Sequence, residues 1–378
     1  MKALIGGQVF DGETIRPGLA VLVDGGIIAA VVPVLGVPSS AERVPLDGGL
    51  LAPGFIDLQV NGGGGVLFNT TPTVDAIRAI GRAHRSFGTT GFLVTFITDS
   101  TEKMAAAIAA TRNALAAGVP GLLGLHLEGP FLNPAKRGIH DERFVRSPNQ
   151  GDLALLAELP VGRTLVTLAP EQAPAGLIER LVAAGVIVAA GHTDAGYDQA
   201  MDGFRRGIAG VTHLFNAMTP MASRAPGMVG AALDHRPTWC GLIVDGHHVH
   251  PAVLRSAIAA KPRGTMILVT DAMPPAAGGP ATFDLGGRPI RAEGGRLLGE
   301  DGTLAGADLD MARAVANAVR LLGLKAEEAL RMASLYPAQA LGLTDRGRIA
   351  AGQRADLVLL DDRLDVIDTW IGGARAGA

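Results

Sequence analysis

The chain has 378 residues, with 33 Lys plus Arg against 36 Asp plus Glu and a formal net charge of −3. That balance excludes a bulk field for nucleic acid or an anionic membrane surface. A single cysteine, Cys240, excludes an internal disulfide and a cysteine-rich metal site. With 48% hydrophobic residues and 52 glycines the core is large, yet no run approaches the about 18 uninterrupted apolar residues of a membrane helix.

The N-terminus, Met1-Lys2-Ala3-Leu4-Ile5-Gly6-Gly7, carries too short an apolar run for a secretory signal, so the expected location is the cytoplasm. Up to about residue 50, apolar runs such as Leu19 to Val23 and Ile27 to Val32 alternate with turns such as Asp24-Gly25-Gly26, the pattern of a small β-sheet. The C-terminal end repeats that character in Ala355 to Leu360 and Val366 to Trp370. The two ends, 1–51 and 346–378, are therefore expected to pack together as one discontinuous β-sandwich around a middle of 52–345.

The middle opens at Leu51-Ala52-Pro53-Gly54-Phe55-Ile56-Asp57-Leu58-Gln59-Val60-Asn61, a turn followed by a first strand. Apolar strands then alternate with alanine-rich helical segments, for instance Thr73 to Phe87 and Thr101 to Ala117. Such alternation predicts a (β/α)8 TIM barrel in preference to an open sheet, because no nucleotide fingerprint accompanies it. Gly62 to Gly65 lacks a following Lys-Ser or Lys-Thr, and neither a Gly-x-Ser-x-Gly elbow nor a His-Glu-x-x-His helix occurs.

Four of the apolar runs end on a polar residue. Gly121 to Leu125 leads to Glu128, Val186 to Gly191 to His192, Ala209 to Thr212 to His213, and Met266 to Thr270 to Asp271. Alone, Glu128 reads equally well as a partner of Lys136 or Arg137. In a closed parallel barrel, however, the C-terminal strand ends converge on one mouth. Two neutral imidazoles and a carboxylate with an open position for water suit a catalytic divalent ion of the zinc type. Of the other histidines, His84 beside Arg82 and Arg85 reads as surface, and His235 and His250 as bland. His140, in the loop after the glutamate strand, and His247 or His248, after another apolar strand, are open between a site role and none. Cys240, beside Trp239, reads as a small core residue.

Taken together, Pro53-Gly54-Phe55-Ile56-Asp57, His126-Leu127-Glu128-Gly129-Pro130, Gly191-His192-Thr193, Thr212-His213-Leu214-Phe215-Asn216-Ala217-Met218, Val244-Asp245-Gly246-His247-His248-Val249, Val269-Thr270-Asp271-Ala272 and Gly302-Thr303-Leu304-Ala305-Gly306 span nearly the whole chain. In this order they resemble the N-acetylglucosamine-6-phosphate deacetylase branch of the amidohydrolase superfamily. The resemblance implies a metal-dependent barrel with Glu128, His192 and His213 as ligands and Asp271 as the acid/base carboxylate. It implies that His140 hydrogen-bonds the substrate carbonyl, and that Asn216, Ala217, His248 and Arg224 bind the phosphate. Arg224 would reach in from the neighbouring subunit of a homodimer, and His247 has no assigned role.

Many amidohydrolases carry His-x-His where this chain has Gln59-Val60-Asn61. Neutral amides are weak ligands beside imidazole, so Gln59 and Asn61 read as vestigial second-metal positions. One ion per subunit is expected, zinc first, with iron, manganese or cobalt as alternatives. The implied reaction is hydrolysis of the acetamide of N-acetyl-D-glucosamine 6-phosphate, without nucleic-acid or membrane partners. Rival readings are a cyclic amide hydrolase, against which the absent His-x-His speaks, and a non-catalytic barrel scaffold.

Overall fold

The computed structural model describes residues 1–149 and 151–375; the last three residues of the expected sandwich fall outside them. Eight parallel strands form the central sheet in sequence order: Phe55–Val60, Thr89–Ile97, Leu122–Glu128, Arg163–Leu168, Ile187–Ala190, Gly210–Val211, Trp239–Leu242 and Met266–Leu268. The first three are buried along their whole length, as expected of strands covered on one side by helices and on the other by a packed lumen. The eighth meets the first through a single parallel bridge, Val60 to Ala272, and the sheet closes as a barrel. Helices run between the strands. Val74–Arg85 is capped by the Thr73 side chain and Thr101–Ala116 by that of Ser100, close to the bounds that their periodicity predicts.

Both chain ends supply strands to one six-stranded sheet, in which Leu357–Leu360 runs antiparallel to Leu50–Pro53. A four-stranded sheet built on Lys2–Ile5 faces it. Leu4, Val21, Ile28, Leu51, Leu357 and Trp370 share the core between them.

Two expectations need correction. The βα alternation breaks after the eighth barrel strand, where four antiparallel strands, Thr282–Leu285, Arg288–Glu293, Arg296–Leu298 and Leu304–Ala307, precede the helix Met311–Leu322. Gly286-Gly287 and Gly294-Gly295 make the first two turns with φ of 62° and 86°, then 57° and 83°, the paired positive values that two-residue hairpins demand. This sheet shares a small core with Ile97 and Met273 at the mouth of the barrel. His84, read as surface, is fully buried, with Nε2 2.9 Å from the Gly62 carbonyl oxygen. The helix turns it inward onto Gly63, while Arg82 on the same helix is exposed.

Inside the barrel, residues two apart on a strand face the same way. Asp57, Gln59 and Asn61 therefore face the lumen from one strand, and His126 and Glu128 from another. Asp57 closes the seam: its Oδ2 accepts the Thr270 hydroxyl at 2.5 Å, and Oδ1 accepts the Gln59 N–H at 3.1 Å and the Thr270 N–H at 3.3 Å. Burial pushes its carboxyl up to about 7 against these hydrogen bonds. Below about pH 4 the group is protonated in both folded and unfolded chains. As the pH rises toward about 7 the unfolded chain ionises and the native one resists, so the contribution to stability is progressively lost. Asp57→Asn keeps the shape without the titration. Its unfolding temperature relative to wild type, followed by circular dichroism, is expected to move in the variant's favour from about pH 5 to about pH 8. A difference constant with pH would contradict a late-titrating carboxyl at the seam.

Candidate metal centre and active site

Glu128 ends the third barrel strand, and the two histidines stand just past the fifth and sixth. Glu128 Oε1 lies 2.9 Å from His213 Nε2 and 3.2 Å from His192 Nε2, and the two nitrogens are 3.1 Å apart. Three buried electron-pair donors thus form a triangle with edges near 3 Å. Ligands held about 2.0–2.1 Å from a tetrahedral ion stand roughly 3.3 Å from one another. His192 donates its Nδ1–H to the Lys136 carbonyl at 2.9 Å, which leaves its Nε2 bare, the tautomer a metal requires. Facing imidazole nitrogens repel unless a proton or a cation lies between them, so the donor set fits a divalent ion.

The backbone supports this convergence at a cost. His192, His213 and Asp271 all have left-handed φ, at 49°, 32° and 52°, and such conformations cost on the order of 1 kcal/mol or more each for non-glycine residues. Backbone hydrogen bonds hold them: Asn133 donates to the His192 carbonyl, Asn216 to that of His213, and Ala307 to that of Asp271. The strain turns each side chain from its strand direction toward the lumen.

Burial would raise the Glu128 carboxyl, but its close approach to His192 and His213 outweighs burial and holds it well below the usual range. Asp271, also buried and facing the Glu128 charge, is pushed up to about 6. Between the two carboxylates lies the Gln59 amide, whose Nε2 is 3.1 and 3.2 Å from the Glu128 oxygens and 3.0 Å from Asp271 Oδ1. Asn61 Nδ2 adds a fourth contact, 2.7 Å from the same Asp271 oxygen. The two amides thus donate to the carboxylates, Gln59 to both and Asn61 to Asp271 alone. Asn61 Oδ1 has no hydrogen-bond partner; turning the amide over would set oxygen against carboxylate, which costs more.

A cavity of about 180 Å³ opens above the triangle. It is lined by Glu128, His140, His192, His213, Asn216, Ala217, His248 and Asp271, so of the predicted site residues it gathers all except Gln59, Asn61 and Arg224. Gln59 and Asn61 lie directly behind, through their bonds to Asp271. Arg224 is exposed in a tight turn closed between Ala222 and Ala225. Burial, with the neighbouring His192, holds His140 well below its ordinary value, and it offers an atom within 4.8 Å of those of Glu128 and His192. Nδ1 of His248 is fixed by Asp245 Oδ2 at 2.6 Å, and the Asn216 amide nitrogen rests on the His213 and Leu214 carbonyls at 3.1 and 3.4 Å. His247 is exposed and outside the cavity. Cys240 is buried, its thiol pushed up to about 12 by burial.

The sequence reading gave several of these neighbours no site role, although Thr303, Leu304 and Gly306 lie in one of its motifs. Met273, Thr303, Leu304 and Gly306 complete the cavity wall from the segment after the eighth strand and the added sheet. Asp245, which holds His248 by a hydrogen bond, lies in the Val244 to Val249 motif and received no role there, while Thr98, which holds His140 by a hydrogen bond, carries no signal of its own in the sequence. The carboxylate flanked by imidazoles at the C-terminal mouth of an α/β barrel defines a metal-dependent hydrolase.

The chain belongs to the amidohydrolase family, whose model matches residues 50–377, while that of the NagA composite domain matches 1–51. It is 40% identical over 370 residues to the N-acetylgalactosamine-6-phosphate deacetylase of Shewanella sp., covering 97% of this chain and 94% of that protein. To the N-acetylglucosamine-6-phosphate deacetylase of Haemophilus influenzae it is 36% identical over 377 residues, covering 98% of each. Among solved structures, the N-acetylglucosamine-6-phosphate deacetylase of Pasteurella multocida superposes with a TM-score of 0.96 at 36% identity, covering 99% of both chains. An Asp-to-Ala mutant of the Mycobacterium smegmatis enzyme, in complex with N-acetyl-D-glucosamine-6-phosphate, superposes with a TM-score of 0.92 at 31% identity, covering 100% of this chain and 99% of that one.

Glu128→Gln removes the charge of the triangle and preserves its shape. Bound metal measured by plasma mass spectrometry on the purified variant is expected to fall at least about tenfold, with the circular dichroism spectrum unchanged. Retention of wild-type metal content would show that the ion is held elsewhere.

Proposed function

We propose that the chain is a metal-dependent hydrolase that converts N-acetyl-D-glucosamine 6-phosphate to D-glucosamine 6-phosphate and acetate in amino-sugar metabolism. The observation that carries this reading is the buried Glu128–His192–His213 triangle beside Asp271, in a chain whose relatives at 36% and 40% identity are hexosamine-6-phosphate deacetylases. A scaffold would have no use for three strained residues aimed at one point.

When bound by Glu128, His192 and His213, a divalent ion, zinc first with iron, manganese or cobalt as alternatives, supplies Lewis acidity that acidifies water and polarises a carbonyl. The protein does the rest. Gln59 and Asn61 both donate to Oδ1 of Asp271, which leaves Oδ2 to take the proton as water attacks the acetamide carbon. The same oxygen then passes the proton to the departing nitrogen, since an amide nitrogen leaves poorly unprotonated. His140 donates to the acetamide oxygen as negative charge develops on it. Asn216, the backbone N–H of Ala217 and His248 receive the phosphate, and Asp245 holds the His248 ring for that contact.

One ion per subunit follows from Gln59 and Asn61 standing as donors where a second would bind. We read Arg224 as the phosphate's guanidinium fork, supplied across a homodimer. This account takes 1–51 with 346–378 as the small sandwich and 52–345 as the catalytic barrel, and the cytoplasm as the location. No helix among the described residues is long and apolar enough to cross a membrane.

A second reading, N-acetylgalactosamine 6-phosphate as the preferred sugar, is favoured by the 40% identity to the Shewanella protein. The two sugars differ in the orientation of one hydroxyl. Acetate release by the zinc-supplemented protein from both phosphates, from unphosphorylated N-acetylglucosamine and from dihydroorotate tests the assignment. Turnover confined to the phosphorylated sugars is expected, and the larger kcat/KM decides between them. Turnover of dihydroorotate alone would overturn the reading. Asp271→Asn is expected to keep its metal and lose roughly 10²–10⁴-fold in kcat, measured by the same assay; near-normal turnover would remove Asp271 from its role. Mixing inactive Arg224→Ala chains with inactive Asp271→Asn chains is expected to restore activity in mixed dimers, and no recovery would place Arg224 outside the shared site.

A further inference from the structure

Thr98 follows the second barrel strand and is buried, and the mechanism above gives it no part. Its hydroxyl oxygen lies 2.8 Å from His140 Nδ1 and 3.2 Å from the backbone carbonyl oxygen of Glu128. The space it occupies depends on Gly129, which follows the glutamate ligand with φ 92°. A Cβ there would collide with Thr98 Oγ1 before meeting anything else. The glycine of His-Leu-Glu-Gly-Pro thus keeps open a slot that the hydroxyl fills.

A hydroxyl has one proton, and here two acceptors compete for it. If it goes to the Glu128 carbonyl, a neutral His140 must carry its own proton on Nδ1, and Nε2 presents a bare electron pair. If it goes to Nδ1, Nε2 carries the hydrogen and is a donor. The first arrangement adds another electron pair beside a centre where those of Glu128, His192 and His213 already converge. The second matches a substrate carbonyl oxygen, and it uses the shorter of the two contacts.

We propose that Thr98 is the positioning residue that sets the His140 tautomer: its hydroxyl donates to Nδ1, so that Nε2–H faces the substrate as a preformed oxyanion donor. Thr98 touches no reacting atom and acts only through His140. The inference rests on the reading of His140 as the carbonyl donor, and it also makes a claim about the resting protein that needs no substrate.

The test uses the zinc-loaded full-length chain labelled with 15N at histidine, with His140 assigned by the signal lost in His140→Gln. Long-range proton–nitrogen correlation spectra of the wild type are expected to show His140 protonated on Nε2 and bare on Nδ1. In Thr98→Val the ring is expected to lose that single form. Its kcat should fall roughly 10- to 100-fold with KM and metal content unchanged, and Thr98→Ser should restore both the tautomer and most of kcat. His140 protonated on Nδ1 in the wild type would overturn the proposal, as would a Thr98→Val spectrum unchanged at His140, and the first needs no Thr98 variant to fold. A wild type inactive on every sugar phosphate but with the expected tautomer would instead count against the deacetylase reading alone.

Discussion

Three buried electron pairs, on Glu128 Oε1, His192 Nε2 and His213 Nε2, stand within 3.2 Å of one another. Without a cation they repel, and burial removes the water that would screen them. Much else in the barrel mouth can be read as holding that arrangement together. The Lys136 carbonyl fixes one imidazole tautomer, the Gln59 amide bonds both Glu128 oxygens, and the left-handed backbone at both histidines turns their rings inward. A carboxylate and two imidazoles from three different strands meet because a parallel barrel brings its strand ends together.

The second carboxylate depends on the first. Burial raises the Asp271 carboxyl, the nearby Glu128 charge adds to it, and together they push it up to about 6. Gln59 and Asn61 keep the pair tolerable by donating to both carboxylates without bringing a formal charge. Both amides bond the same Asp271 oxygen, and in the proposed mechanism the other oxygen carries the proton. Beneath this layer, His126 bonds Thr167 at 2.7 Å and Thr95 at 3.3 Å, and burial lowers it to about 4, so it remains a neutral structural link.

What could be read from the sequence was whatever one strand or one helix decides by itself. The apolar runs ending in Glu128, His192, His213 and Asp271 announced both the barrel and its mouth, because parallel strands buried on both faces leave a continuous apolar trace. The alanine-rich periods of Thr73 to Phe87 and Thr101 to Ala117 marked two helices. The antiparallel sheet of 282–307 was missed although its Gly-Gly turns were in view, since the alternation on either side suggested one continuous pattern. His84 was misread because flanking arginines say nothing about which face of a helix is turned inward. Thr98 and the donor role of Gln59 and Asn61 depend on contacts between distant segments, and no local pattern encodes them.

The most direct test of this account is a crystal structure of the zinc-loaded protein, with anomalous diffraction collected on both sides of the zinc absorption edge. One peak per chain is predicted, about 2.0–2.2 Å from Glu128 and from the Nε2 atoms of His192 and His213, with Gln59 and Asn61 still bonded to Asp271. A peak ligated by Gln59 or Asn61, or none within the triangle, would contradict it.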